Sequence, residues 1–467
     1  MKGKNMSYID FNNPCKVHFT GIGGISMSGF AELLLKKGFK VSGSDWKETP
    51  ITDRLEQLGA VIGYGPQCAA NVPSDTAVLV YTAAVKPDNP ELLEAAHLGI
   101  PAIERGALVG DVMLRYKNNY SVAGTHGKTT STSMLSLVAL EAGLDPTVSV
   151  GGMLSNIGGN MRIGSSDNFI IESCEYTDSF LNFHPTRAII TSVEAEHLDY
   201  FGTEERMRKS FATFAELLPA DGLLVVCKEI RDYETLFADI ACPMITYSAS
   251  DKSADCYAEN VVFNELGFPG FDVRFHGILL GHVQLSVPGI HNVANATGVI
   301  AMSLFSGICI DTAIRGLENF RGTGRRFEKK GEVGGVTIID DYAHHPTEIR
   351  ATLEAAQRYP HKTLWTVFQP HTYSRTAAFK EEIADALSLS DHVILTDIYA
   401  ARETNTFGIS SGDIADVLKT KYGKDINLFS SFDDIVTFLL KNCCTGDLLI
   451  TMGAGDVVTI GEKLLGR

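Results

Sequence analysis

The chain has 467 residues, more than one hydrophobic core usually serves, so two or three domains are expected. Apolar residues make up 45% and charged residues 21%, with no low-complexity tract, which excludes a disordered chain. A formal net charge of −16 excludes a general binder of nucleic acid or of an anionic membrane, so any anionic ligand has to be held by local cations.

The segment from Met1 to Lys16 is polar and lacks the apolar core of a secretory signal. The nine cysteines form no regular framework, and the adjacent pair Cys443 and Cys444 has neither zinc-knuckle nor redox spacing. A reducing cytoplasm is the expected compartment. From Val17 to about Arg115, short β-rich runs (Val17–Thr20, Lys40–Ser42, Ala77–Tyr81) alternate with helix-length segments (Ser28–Lys37, Pro90–Leu98). That alternation predicts a parallel sheet covered by helices.

The loop Gly21-Ile22-Gly23-Gly24-Ile25-Ser26-Met27-Ser28-Gly29 follows the first strand, and Ser44 and Asp45 close the second. It is close to the dinucleotide fingerprint, with Ser26 at the third glycine position, and it predicts a diphosphate-sized anion at a helix N-terminus. UDP fits that demand as well as NAD does.

A second unit opens with strand Tyr120–Ala123, the loop Gly124-Thr125-His126-Gly127-Lys128-Thr129-Thr130, and a helix from Thr129 to about Glu141 that Gly143 ends. Backbone N–H groups there would cradle phosphates, Lys128 would neutralise the β and γ oxygens, and Thr129 could ligate Mg²⁺. The loop departs from the general pattern because Val122 stands where the first glycine would be. Strands Phe169–Glu172, Ala188–Ser192 and Leu223–Cys227 continue the unit. Two acidic clusters follow the first two of them, Glu172-Ser173-Cys174-Glu175 and Glu194-Ala195-Glu196-His197-Leu198-Asp199. Sheet topology brings such strand ends beside a phosphate loop, where Glu175 and His197 could hold magnesium directly or through water. Gly298–Ile310 is too short to cross a bilayer and contains Ser303 and Ser306, which predicts a buried helix.

Around Gly322–Gly334 the composition turns to Gly, Arg, Lys and Glu, the mark of a hinge, and a third α/β unit follows. Its predicted elements are Val336–Asp340, Pro346–Gln357, Leu364–Phe368, His392–Leu395 and Leu448–Thr451. Arg325-Arg326, the stretch Asp340 to Glu348 with His344 and His345, and the stretch Gln369 to Thr376 with Arg375 suit carboxylates and phosphates. Asp341 and the two histidines would serve equally well as helix-capping, satisfied polar groups.

Taken in order, these motifs, together with Gly289-Ile290-His291-Asn292-Val293-Ala294-Asn295 and Arg325-Arg326-Phe327-Glu328, resemble the Mur ligase family over nearly the whole chain. The histidine inside the phosphate loop and the stretch Asp341 to Ile349 look more like the alanine-adding branch than those adding glutamate or diaminopimelate. The resemblance implies an α/β fold of three domains in series: an N-terminal Rossmann-like unit for UDP (1–116), a central P-loop ATPase-like unit (117–325), and a C-terminal Rossmann-like unit that closes and brings the amino acid (326–467). It implies ATP-dependent ligation of L-alanine to the carboxylate of UDP-N-acetylmuramate through an acyl phosphate in peptidoglycan synthesis, with Mg²⁺, in a monomer or weak homodimer.

By resemblance, His291 and Asn292 lie near adenine or ribose, Arg326 near the phosphates, and Arg375 pairs with the alanine carboxylate. Either His344 or His345 is a candidate base for the alanine ammonium group. An NAD-dependent oxidoreductase leaves residues 124–130 and the acidic clusters without a role. A non-catalytic nucleotide module would have lost one of Lys128, Thr129, Glu175 or His197, and all are present. The nearer rival is a ligase that attaches a recycled tripeptide to the same sugar nucleotide.

Overall fold

The computed structural model describes residues 8–401 and 403–467. Residues 1–7 of the N-terminal segment, and the side chains of Leu198 and Asp199 in the second acidic motif, lie outside that description. The chain forms two compact units, one reaching to Tyr247 and including Gly298–Ala313, the other made of Ser248–Thr297 and Ile314–Arg467.

The first unit holds two sheets. One is fully parallel, with strands in the spatial order Val61–Tyr64, Lys40–Asp45, Lys16–Thr20, Val78–Tyr81 and Ala102–Glu104. Its central strands are buried on both faces, as parallel strands between helices must be. In the other sheet, Asn118–Ala123 lies between Arg187–Ile190 and Asn168–Glu172, all parallel, with Leu223–Cys227 and Met244–Ser248 beyond. The hairpin Thr147–Leu154 and Gly159–Arg162, which the periodicity does not reveal, extends it on the other side.

Helix Lys128–Glu141 is buried on nearly every side although it is rich in Ser and Thr. The hydroxyls of Thr132, Ser133 and Ser136 donate to the carbonyls of Lys128, Thr129 and Thr132 at 2.8, 2.8 and 2.7 Å, so they enter the core satisfied. The helix expected over 298–310 runs instead over Ile290–Phe305, ahead of Gly307 at φ 76°. Ser303 and Ser306 bond back to Val299 and Met302 in the same way. Among the described residues no helix is long and apolar enough to cross a membrane.

In the second unit, Cys256–Phe263, Pro269–Phe275 and Ile278–Gln284 pair antiparallel, an addition that no sequence signal announced. A six-stranded sheet follows, in the order Glu328–Val333, Val336–Asp341, Leu448–Met452, Leu364–Phe368, His392–Thr396 and Asn427–Phe429. Only the first of these is antiparallel to its neighbour. Alternate residues feed two apolar cores. Ile339, Phe368 and Ile450 face helices Pro346–Arg358 and Tyr373–Leu387, whereas Ile338, Val367 and Leu449 face Phe432–Asn442 and Val458–Leu464. The expected hinge over 322–334 is corrected in part. Glu328–Val333 is an edge strand, joined to the next through Gly334 and Gly335 at φ 59° and 76°, the left-handed pair that a two-residue hairpin turn requires.

Candidate active site

Strand Asn118–Ala123 has a parallel neighbour on each side, so its C-terminal end delivers the phosphate loop between two neighbouring strand ends. Gly127 caps the following helix in the left-handed region at φ 80°, and Gly124 sits at φ 142° against Thr191 and Ser192. The loop is fastened to the next strand end. Ser192 Oγ accepts the His126 N–H at 2.8 Å and lies 2.9 Å from Thr125 Oγ1.

Lys128 folds back over this loop. Its ammonium donates to the carbonyls of Gly124 and Thr125 and pairs with Glu175, whose carboxylate is fully buried, at 2.9 Å. Burial alone would lower the Lys128 pKa, but the charges of Glu175, Cys174 and Glu172 outweigh it and hold the ammonium above its ordinary value. His197 Nε2 approaches Glu175 at 3.6 Å, and its ring lies 4.6 Å from that of Tyr176.

Thr129 Oγ1 donates to Glu172 at 3.0 Å, and Glu172 also accepts the Gly151 N–H at 2.7 Å. Glu172 belongs to this group as much as Glu175 does; the signal that finds it is register, since Val122 pairs directly with Glu172. Thr130 is half-buried in the first helical turn. Thr177, Asp178 and His197 hold φ of 56°, 55° and 54°, unfavourable for residues with a Cβ and concentrated beside Glu175 and His197. Asp178 ties the segments together by accepting from Tyr200 at 2.7 Å and from Ser210.

The glycine loop of the first sheet is organised by carbonyls and a carboxylate. Ser44 O accepts the N–H groups of Gly21 and Ile22 at 2.9 and 3.0 Å, and Asp45 Oδ2 accepts that of Gly23 at 2.7 Å. A Cβ on Gly23 would meet Asp45 Oδ2 at 2.7 Å, so the close approach requires glycine. Gly24 precedes helix Ile25–Lys36 as its N-cap. The Ser44 side chain is buried and donates to Glu91, so Ser44 serves the loop through its backbone. A cleft of about 600 Å³ borders Gly21 and is lined by Thr82, Lys86 and Asn89, which sequence reasoning missed. Lys86 gives this loop the cation it does not itself contain.

The second unit gathers the histidine and arginine residues. Arg325 is structural: its guanidinium donates to Asp340 at 2.9 Å and to the carbonyls of Gly453 and Gly455 at 2.7 and 3.0 Å. Arg326 lies 3.7 Å from Glu348 and over the ring of Tyr342. His345 caps helix Pro346–Arg358, its Nδ1 accepting the Thr347 N–H while Glu348 reaches back.

His344 is arranged differently. Its Nδ1 faces the Tyr342 carbonyl at 3.0 Å, which can only accept, so Nδ1 carries the proton and Nε2 the lone pair of the neutral ring. The His344 ring lies 5.6 Å from that of His371, and Arg375 donates to His371 Nδ1 at 2.9 Å. Asp341 accepts the N–H groups of Phe327 and Ala343 at 2.7 and 2.8 Å. Asn292 is buried and bonds Pro288 O at 2.7 Å, next to an exposed His291.

Comparison with known proteins agrees with this geometry. Residues 16–117 match the model for the Mur ligase family catalytic domain, 122–303 the Mur ligase middle domain, and 325–455 the Mur ligase glutamate ligase domain. A UDP-N-acetylmuramate–L-alanine ligase of Lachnoclostridium phytofermentans is 52% identical, covering 98% of this chain and 100% of its own. The crystal structure of a UDP-N-acetylmuramate–alanine ligase from Thermotoga maritima aligns with a TM-score of 0.83 and 30% identity over 97% of this chain and 99% of that one. A murein peptide ligase from Psychrobacter arcticus aligns at TM-score 0.72 and 25% identity over 97% and 98%.

Proposed function

The chain belongs to the Mur ligase family, and we propose that it joins L-alanine to the carboxylate of UDP-N-acetylmuramate in an ATP-driven step of peptidoglycan synthesis. The observation that carries this reading is 52% identity, across both whole chains, to a ligase of that activity. A carboxylate resists attack by an amine, so the γ-phosphoryl group of ATP is first moved onto it, breaking the bond to ADP. The amine of alanine then forms the new C–N bond through a tetrahedral intermediate, and phosphate leaves.

The residue roles are our proposals. The phosphate loop Gly124–Thr130 binds the triphosphate, and Lys128 exchanges Glu175 for its β and γ oxygens. Glu172 accepts from the Thr129 hydroxyl and Glu175 pairs with Lys128, so both carboxylates lie by the phosphate loop as hard oxygen donors of the kind that suits magnesium, and His197 Nε2 lies 3.6 Å from Glu175. Thr129, Glu175 and His197 would hold the ion, which when bound would shield the phosphate charge. Gly21, Gly23, Gly24 and Asp45 bind the UDP diphosphate and ribose, with Ser44 supporting the loop.

From the second unit, Arg375 pairs with the alanine carboxylate, and His291, Asn292 and Arg326 serve the nucleotide. His344 takes the ammonium proton on Nε2, since its Nδ1 is turned to the Tyr342 carbonyl and to Glu348, whereas Nδ1 of His345 caps a helix. The matched segments support domains at 1–116, 117–325 and 326–467. We take the enzyme to be cytoplasmic, as a monomer or weak homodimer.

The test is phosphate release from ATP with Mg²⁺ and UDP-N-acetylmuramate, comparing L-alanine, glycine, L-serine and the recycled tripeptide as acceptors. L-Alanine should be the best acceptor. Release driven by tripeptide alone would move the activity to the recycling ligases, and no release with any acceptor would overturn the reading.

A further inference from the structure

Beneath the glycine loop lies a buried carboxylate that none of the chemistry above uses. Glu91, second residue of helix Pro90–His97, has no exposed surface. Its Oε2 accepts from the hydroxyls of Thr20 and Ser44 at 2.7 and 2.9 Å, and its Oε1 from the amide of Asn71 at 2.7 Å. Buried His18 completes the group, with Nε2 3.5 Å from Glu91 and Nδ1 3.0 Å from Ser42 Oγ. Burial alone would raise the carboxyl pKa, but the bonds from His18, Thr20, Asn71 and Ser44 outweigh it and hold Glu91 below its ordinary value. The carboxylate is therefore charged at neutral pH, at a helix N-terminus that favours a negative charge.

The strand register explains why these partners meet. His18 is paired with Ser42, and Thr20 with Ser44, across the two central strands. Residues two apart share a face, so all four side chains point to the side where Glu91 enters. Thr20 is the last residue before Gly21. Ser44 carries the carbonyl that binds the Gly21 and Ile22 N–H groups, and precedes the aspartate that binds Gly23. One carboxylate thus fastens both strand ends whose main chain shapes the loop.

We propose that Glu91 is the positioning residue of the substrate-diphosphate loop, acting through Thr20 and Ser44 to set the spacing of the two strand ends. This rests on reading Gly21–Gly24 as the cradle for UDP-N-acetylmuramate.

The experiment uses the full chain and five proteins: wild type, Glu91→Gln, Thr20→Val, the double variant, and Gly23→Ala. For each, KM is measured for UDP-N-acetylmuramate and for ATP, and the Kd of UDP-N-acetylmuramate by calorimetry. Glu91→Gln is expected to raise KM and Kd for the sugar nucleotide about tenfold, the scale of a hydrogen bond to a charged group, and to leave the KM for ATP within about twofold. The double variant should be no worse than the worse single one, because both remove the same linkage.

Additive losses, equal losses for both substrates, or a lower melting temperature with both KM values unchanged would reduce Glu91 to a structural residue. If Glu91→Gln does not fold, Thr20→Val carries the same test. Gly23→Ala separates this inference from the reading beneath it. Weaker sugar-nucleotide binding by Gly23→Ala but not by Glu91→Gln overturns only the role of Glu91, whereas unchanged binding by Gly23→Ala overturns the loop assignment itself.

Discussion

Two glycine loops in the first unit each leave a strand flanked by two parallel neighbours and enter a helix, yet they are held by different means. In the loop after Lys16–Thr20, acceptors do the holding: the Ser44 carbonyl takes the Gly21 and Ile22 N–H groups, Asp45 takes that of Gly23, and Glu91 reaches the strand ends through Thr20 and Ser44. In the loop after Asn118–Ala123, the hydroxyl of Ser192 takes the His126 N–H, and the Lys128 ammonium lies on loop carbonyls and on Glu175. A loop with no cation of its own suits phosphates that remain intact through the reaction. A loop built around a lysine suits a phosphoryl group in transfer, where neutralising charge is most of the catalysis.

The largest effect should come from removing that lysine. Lys128→Ala is expected to lower turnover by at least about 10³-fold, measured as phosphate release, while calorimetry finds UDP-N-acetylmuramate binding within about twofold of wild type. Loss of sugar-nucleotide binding in this variant would break the comparison, because the two loops would no longer be separable. Glu175→Gln should follow, with turnover falling about 10²-fold and a higher half-saturating Mg²⁺ concentration. An unchanged magnesium titration would leave Glu175 as a partner of Lys128 and nothing more.

A smaller and more selective effect is expected where a site depends on one side chain rather than on a loop. Arg375→Ala should raise the KM for L-alanine about tenfold and leave the KM for ATP unchanged; Arg375→Lys should recover part of the loss, since a point charge lacks the guanidinium fork. Steady-state kinetics with each substrate varied in turn would separate these cases, and equal changes for both substrates would remove Arg375 from the amino-acid site.

The phosphate loop was legible because its chemistry is written in consecutive residues: strand, glycines, Lys128, Thr129, helix. The acidic strand ends were legible as clusters, but choosing Glu172 alongside Glu175 required the pairing of Val122 with Glu172, which is a property of the sheet and not of the string. Glu91 is invisible in the sequence for the same reason, since its partners come from residues 18, 20, 44 and 71. The histidines show a further limit. His344 and His345 are neighbours of one residue type, and only the backbone makes one a helix cap and directs the other toward His371. The edge strand inside the expected hinge was missed because a Gly-, Lys- and Glu-rich edge strand has the composition of a linker.

Two buried carboxylates that brace loops allow one more comparison, with opposite signs in pH. Asp341 is pushed up to about 6, chiefly by burial and also by the nearby charge of Glu348, against the pull of Arg326 and of the Ala343 and Phe327 N–H groups. Between the ordinary carboxyl value and about 6, the folded chain binds more protons than the unfolded one. The Asp341 contribution is therefore full at acidic pH and lost as pH rises through that window, by roughly 3 kcal/mol at most. Glu91, with its pKa lowered, contributes above the ordinary carboxyl range and loses that contribution as pH falls. Thermal unfolding from pH 3.5 to 7.5 should then show the wild-type advantage over Asp341→Asn shrinking as pH rises, while the advantage over Glu91→Gln grows. An Asp341→Asn gap that widens with pH would mean that Arg326 and the two backbone donors outweigh burial there, and that both carboxylates brace their loops as full charges.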